Sequence, residues 1–280
     1  MESLRTVART IFDRALADCS IEQAIERHLS VRDGTLRLGA ETFDLRQIER
    51  IRVVAAGKAA HAMLTSLLRQ LALPAGFDLA GVLIAPEDLA ALPDGFLYFA
   101  GGHPSPNQAS FDGARAALAM LHALPDETPF TTLCFFLISG GASAMMELPL
   151  DPAISVADTA DFHRALVGSG AVITEMNCVR KHFSAVKGGR LALAAGNATC
   201  RSLLISDVPI GREDALASGP TLPDPSTVAE CREILDRCDL LSRFPASVRH
   251  FFQSAIMPET PKPAEFQAHA TVLLNAQALA

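Results

Sequence analysis

Apolar residues recur at three- and four-residue intervals at the start of the chain: Leu4, Val7, Ile11, Ala15, Ile21, Ile25 and Leu29. That spacing places them on one face of a helix, so residues 1–30 read as helical. From Val31 to Phe43 the pattern shortens to alternation around Asp33-Gly34, a pair suited to a tight turn, which predicts a hairpin. One grammar then repeats, in which a short apolar run ends in a glycine-rich or Asp-bearing turn and a helical pattern often follows. Residues 51–56 lead to Gly57-Lys58 and a helix to Leu71; residues 79–85 lead to Pro86-Glu87-Asp88; residues 96–100 lead to Gly101-Gly102-His103-Pro104 and a helix near 108–124. Residues 133–138 lead to Ser139-Gly140-Gly141-Ala142-Ser143, and residues 202–205 to Ser206-Asp207. Strands alternating with helices predict a mostly parallel sheet covered on both faces, a Rossmann-like three-layer α/β/α sandwich.

Residues 155–196 contain no strand pattern. They read as two helices, 156–169 and 175–195, with Gly168 and Gly170 near the break. Residues 220–226 and 257–262 are proline-rich loops. Residues 270–274 read as a buried strand, Asn275 as a helix cap and 276–280 as a single helical turn, too short to stand alone. The expected organisation is one domain over 1–265 and the beginning of a further region at 266–280, in a chain that reads as a piece of something longer. A final strand of this kind leaves an edge at which a second copy could pair, so a homodimer is expected as one option.

Composition narrows the function. With 280 residues, of which 49% are hydrophobic, the chain can bury a large core. Its net charge of −7 argues against a nucleic-acid footprint, which usually needs a basic face. No apolar run reaches the ~18 residues of a membrane span, and the N-terminus lacks the apolar stretch of a signal peptide. Six scattered cysteines include no CxxC pair and no Cys/His spacing typical of zinc, so reduced thiols in a cytoplasmic protein are expected.

Three of the four lysines lie in glycine-bearing segments: Lys58 beside Gly57, and Lys181 and Lys187 in the run from Asn177 to Arg190 that includes Gly188-Gly189. A lysine near a glycine turn supplies a mobile point charge for an anion. In parallel sheets the ligand site lies beyond the carboxyl ends of the strands, where all the polar turns above would gather. The Ser139–Ser143 turn offers main-chain amides to an anion through Gly140 and Gly141, or is a plain strand–helix turn with Ser143 as its cap. His103 sits in a rigid proline loop, as a substrate ligand or a surface residue. Arg180, Lys181, Lys187 and Arg190 read as a basic helical run, either binding substrate or solvated. Asp207 ends a strand, where a carboxylate can hold Mg²⁺ or orient a hydroxyl, or merely form a turn, and Asp214 follows it. Neither GxGxxG nor the Walker-A loop is present.

Taken together, these segments resemble the glycerate 2-kinase family. The matching stretches are Ala56-Gly57-Lys58-Ala59, Gly102-His103-Pro104, residues 137–144, residues 177–192, and Leu204-Ile205-Ser206-Asp207-Val208-Pro209 with Ala217-Ser218-Gly219-Pro220-Thr221. The resemblance implies ATP-dependent phosphorylation of the 2-hydroxyl of glycerate with Mg²⁺, in a cleft between this domain and a C-terminal domain named MOFRL. Lys58 matches the family's active-site lysine, the Ser139–Ser143 turn its anion-binding loop and Asp207 its strand-end acid. Two positions depart from the pattern: Ala142 replaces a third glycine, and Ile210-Gly211-Arg212 replaces a Gly-Asp stretch. The competing readings are a non-catalytic anion- or nucleotide-binding fragment, and an α/β-hydrolase-like enzyme using Ser143 with His250 or His269.

Overall fold

Strand β4 (Arg50–Ala56) shows why the chain forms a layered sheet. Val53 and Ala55 enter one apolar cluster and Val54 and Ala56 another, so both faces of the strand are covered. Strand β7 (Thr132–Ser139) repeats this: Leu133, Phe135 and Leu137 face one side, Cys134, Phe136 and Ile138 the other. A strand buried on both faces reads as a continuous apolar run, and it belongs in a parallel sheet.

The computed structural model describes residues 3–86, 91–125, 131–255, 257–266 and 268–275. In chain order the elements are α1 (Leu4–Asp18), α2 (Ile21–His28), β1 (Leu29–Arg32), β2 (Thr35–Leu38), β3 (Glu41–Asp44), β4, α3 (Ala60–Leu71), β5 (Asp78–Ala85), β6 (Phe96–Ala100), α4 (Gln108–His122) and β7. They continue with the one-turn α5 (Ala142–Met145), α6 (Val156–Val167), α7 (Ile173–Phe183), the one-turn α8 (Arg190–Leu193), β8 (Thr199–Ser206), α9 (Val228–Arg237), α10 (Ala246–Gln253) and β9 (Ala270–Asn275). A 3₁₀ segment at Glu213–Ser218 follows β8.

The main sheet has the order β6-β5-β4-β7-β8-β9, and all its pairings are parallel. One face is covered by α2, α3 and the small antiparallel sheet β1-β2-β3, the other by α4, α5 and α8. The expected α/β class and parallel sheet are what the chain adopts. The chain runs outward from β4 through β5 to β6, then returns to place β7 on the other side of β4. The crevice at that reversal, between the carboxyl ends of β4 and β7, is where such sheets bind ligands.

Several details differ from the pattern reading. The first helix is two, broken at Cys19-Ser20, where Ser20 accepts from the Gln23 amide as the cap of α2. The hairpin expected at Asp33-Gly34, by contrast, is present, with φ of 50° and 75° as a two-residue turn joining β1 to β2 requires. The long helix expected at 175–195 stops at Phe183, because Gly188 and Gly189 take left-handed φ of 58° and 87° and begin the separate α8. Strand β9, which lies beyond residue 265, is the sixth strand of the main sheet and pairs with β8. The turn expected at 87–88 and the helical turn at 276–280 lie outside the described residues.

A third apolar cluster stands beside the sheet. Phe162 of α6, Phe183 of α7, Phe244, and Phe251 and Phe252 of α10 stack with ring centroids 4.3–6.1 Å apart. Together with Val179, Cys178, Cys231 and Leu235 they join α6, α7, α9 and α10 into a helical lobe.

Candidate active site

The turns after β4 and β7 are tied together. The Lys58 amide donates to the Gly140 carbonyl at 3.0 Å, and the Ala59 amide donates to Ser139 Oγ at 3.0 Å. Gly57 sits so close to Ser139 that a Cβ on it would meet Oγ at 2.4 Å, and its φ of 116° is one that glycine favours. A Cβ on Gly141 would lie 3.2 Å from both Lys58 Cγ and His103 Cδ2, and one on Gly140 would lie 2.7 Å from Asp207 Oδ2. Lys58, His103, the Gly140-Gly141 turn and Asp207 therefore share one edge of the sheet.

His103, the Gly140-Gly141 turn and Asp207 open onto a cavity of about 430 Å³ walled on the far side by the helical lobe, and Lys58 stands beside Gly141 without lining it. His103, Gly140, Gly141, Ser143 and Asp207 line it from the sheet, and His163, Asn177 and Arg180 from α6 and α7. Ser218 lines it from a strained loop: Ala217 and Ser218 both hold left-handed φ, at 52° and 61°. Such backbone costs about 1–3 kcal/mol per residue and persists where surroundings enforce it. Here the enforcement is visible, as the Gly188 amide donates to the Ser218 carbonyl at 3.1 Å and Ser218 Oγ donates to Asn177 Oδ1 at 2.9 Å. A cavity of about 470 Å³ beside α8 gathers no carboxylate and none of the strand-end residues.

Electrostatics sort the basic residues. Arg180 is half-buried on the cavity wall, its Nε has no hydrogen-bond partner and its NH1 reaches only Asn177 Oδ1 at 3.5 Å. Burial pushes its pKa down, partly offset by the field of Glu147, and among the described residues no carboxylate pairs with it. Lys58 is exposed and likewise has no carboxylate partner among the described residues. The His103 imidazole is pushed below its usual range by desolvation and then by Lys58.

Lys181 and Lys187 are placed otherwise than the reading of them as substrate grips expected. Lys181 is buried with its ammonium 3.2 Å from Asp214 and 3.2 Å from Asp224. Lys187 is fully buried, 2.5 Å from Glu147 Oε2, which also lies 2.8 Å from His163 Nε2. Neither lysine lines the cavity; each holds its surrounding loops together. Burial drives the Glu147 carboxyl up, but Lys187 and His163 outweigh it and hold it down to about 2. Arg190 turns to main-chain oxygens of Lys181 and Glu259, away from Arg180.

The pattern reading gave no role to His163 or Glu147 and did not single out Ser218. No local motif marks His163 or Glu147, and the stretch that contains Ser218 does not single it out; they come together because α6, α7, the segment after α5 and the loop after β8 converge. Ser143 Oγ lies 3.1 Å from Ser218 Oγ, and neither His250 nor His269 lines the cavity, so the hydrolase reading loses its base. Ala142 is buried at the start of α5, with its methyl in the apolar cluster behind the turn.

Residues 7–253 match the family described as a domain of unknown function, DUF4147. The chain belongs to the DUF4147 family. Among curated relatives of this DUF4147 chain, the glycerate 2-kinase of Pyrococcus horikoshii is 32% identical over 91% of the chain and 55% of the relative. The D-glycerate 2-kinase of Thermotoga maritima is 35% identical over 79% and 50%. A protein of Agrobacterium vitis named as a hydroxypyruvate reductase is 35% identical over 94% and 54%. The chain thus spans about half the length of these relatives. Among solved structures, a Pyrococcus horikoshii protein superposes with a TM-score of 0.84 at 30% identity, covering 100% of this chain and 62% of that one. The glycerate kinase of Thermotoga maritima superposes with 0.77 at 29%, covering 100% and 61%. The resemblance to glycerate 2-kinases read from the motifs is thereby confirmed at the level of family.

Asp207 fits Mg²⁺: it is exposed on the cavity, free of ion pairs among the described residues, and supplies hard oxygen donors.

Proposed function

We propose that this DUF4147 domain provides the substrate side of a glycerate 2-kinase, which transfers the γ-phosphoryl group of ATP to the 2-hydroxyl of glycerate. The observation that carries the reading is the meeting of the unpaired Arg180 with bare turn amides and a free carboxylate around one cavity, with a second unpaired cation, Lys58, packed beside Gly141 at the same sheet edge. Phosphoryl transfer asks a protein mainly to position its reactants and to stabilise spread negative charge. In this reading Lys58 and the Gly140-Gly141 amides receive phosphoryl oxygens, and Arg180, steadied by Asn177, binds the substrate carboxylate as a planar fork. Asp207 would hold Mg²⁺, which supplies charge neutralisation when bound, or would orient the 2-hydroxyl. His103 remains neutral beside Lys58 and donates or accepts a hydrogen bond at the mouth.

The proposal includes a further region, the MOFRL domain that the family resemblance implies, closing the cleft over the helical lobe. A homodimer is part of it as well: Leu4, Ile11 and Phe12 of α1 are exposed, and sedimentation equilibrium tests whether copies pair. A cytoplasmic setting agrees with six free cysteines, and no helix among the described residues is long and apolar enough to cross a membrane.

The test is release of ADP from ATP and Mg²⁺ on addition of glycerate to the full-length protein, with 2-phosphoglycerate identified as product. The name of the Agrobacterium relative raises a second reading, reduction of hydroxypyruvate. Oxidation of NADH or NADPH with hydroxypyruvate, without ADP release, would replace the kinase reading by that one.

A further inference from the structure

Behind the cleft wall, on the opposite face of α7, the described residues contain a trio with metal-ligating chemistry. Cys178 and His182 lie one helical turn apart on α7, and Cys231 faces them from α9. One ligand atom from each lies within 4.8 Å of the other two, and all three side chains are buried, Cys231 and His182 with no exposed surface. Two of them are apolar enough to be ordinary core residues of the helical lobe. His182 is not: its Nδ1 donates to the Cys178 carbonyl at 2.9 Å, while its Nε2 is buried with no hydrogen-bond partner. A buried ring nitrogen left unpaired is costly and calls for an explanation.

We propose that Cys178, Cys231 and His182 form a site for one Zn²⁺ ion that staples α7 to α9. Tetrahedral zinc with sulfur ligands at about 2.3 Å and nitrogen at about 2.0 Å sets its ligand atoms about 3.5–3.8 Å apart. Cys178 Sγ and His182 Nδ1 already lie 3.9 Å apart. Coordination through Nδ1 exchanges its bond to the Cys178 carbonyl for the metal and leaves the proton on Nε2. Glu259 Oε2 stands 3.8 Å from Nε2, so a small side-chain shift completes the carboxylate–histidine–metal arrangement that fixes a ligating imidazole. The fourth position is open to a water or a further oxygen donor. Two thiolates and an imidazole select a borderline or soft cation over Mg²⁺ or Ca²⁺.

There is also a route in. A surface cavity of about 280 Å³ is lined by Cys178 together with Glu175, Glu230 and Glu233, and by Arg237, which pairs with Glu175, so Cys178 is reached from solvent past three carboxylates and one guanidinium. This site is separate from the catalytic reading, yet Asn177 and Arg180 are carried on the same helix. Its occupancy therefore bears on the far wall of the cleft without any contact to substrate.

The experiment is titration of the reduced, chelator-stripped protein with Co²⁺ in the absence of nucleotide. One equivalent is expected to give thiolate-to-cobalt charge-transfer absorption in the near ultraviolet and tetrahedral d–d bands, both abolished by one equivalent of Zn²⁺. Cys231→Ser and His182→Ala should each weaken binding at least tenfold, whereas Cys238→Ser leaves it unchanged. Absence of the charge-transfer band, or a band that survives Cys231→Ser, overturns the site. Should Cys231→Ser not fold, alkylation of Cys178 in the unmodified chain decides: Zn²⁺ is expected to slow it at least tenfold, and an unchanged rate overturns the proposal. A Cys178–Cys231 disulfide with no retained metal in protein isolated from cells overturns it too, in favour of a redox pair.

Discussion

Two lysines of similar sequence context have opposite fates, and the difference is burial. Lys58 is exposed at a strand end without a carboxylate partner among the described residues, while Lys187 is sealed against Glu147 and His163. Lys58→Ala should therefore lower kcat by about 10²–10³, the range for loss of one group that stabilises transition-state charge, while leaving the melting temperature within a degree or so. The same change should let the His103 pKa rise, because Lys58 is one of the two causes that depress it; an NMR titration reads this directly. Lys187→Met should instead destabilise the fold by about 3–5 kcal/mol by stranding a buried carboxylate, measured by urea unfolding. Glu147 adds a pH signature. Its carboxyl is depressed from 4.5 to about 2, so its contribution to stability is complete above about 4.5 and is lost as pH falls toward 2. The favourable linkage sits on the carboxylate, which has three donors in Lys187, His163 and the Leu148 amide, since burial drives Lys187 downward in spite of its single partner. The sequence could not separate these lysines, because both adjoin glycine and nothing local shows which of them will be buried.

At the scale of elements, legibility followed the range of the forces involved. Strands β4, β7 and β8 were readable because burial on both faces writes itself as an uninterrupted apolar run. The turns were readable because glycine marks backbone that other residues avoid. The helical lobe was read only as helices: nothing local announces that Phe162, Phe183, Phe244 and Phe252 will stack, or that α7 will present Asn177 and Arg180 to one side and Cys178 and His182 to the other. Helix α7 was also read as too long, since its periodicity continues through Ser184–Val186 while the left-handed glycines after it do not. Phe162→Ala should cost about 3–5 kcal/mol and loosen α7 as well. Substrate affinity is then expected to fall although Phe162 touches no ligand, which calorimetry of a variant still folded at low temperature would measure. Gly140→Ala tests a finer point. Its backbone is not left-handed, and the added methyl meets only the exposed Asp207 carboxylate, at 2.7 Å. Stability should change little and turnover should collapse as Asp207 is turned aside; a stable, fully active variant would remove Asp207 from the site.

For the whole molecule, the chain reversal at β4 matters more than any single motif. It sets a lysine-bearing turn and an amide-bearing turn side by side at the edge of a sheet whose register is continuous from β6 to β8. The parallel class and the common edge were legible because the strand–turn grammar encodes them, and the family because the turn motifs resemble those of its members. The sheet's reach past residue 265 was not, because a lone apolar run does not say which neighbour it will join. Ligand binding should also register globally: a compound present at a hundred times its Kd stabilises the folded state by about 2.7 kcal/mol. Glycerate is expected to raise the melting temperature, and Arg180→Gln to remove that rise while retaining the one produced by ATP. The bond from the Lys58 amide to Gly140 and that from Ala59 to Ser139 make the floor of the cleft an extension of the sheet itself. Such a floor cannot soften before the core does, so heating should abolish recognition and tertiary structure in a single transition. Accommodation of a longer or bulkier hydroxy acid would then have to evolve in the opposite wall, where helices can slide, and the lineage of substrate preferences in this family should be recorded in α6 and α7.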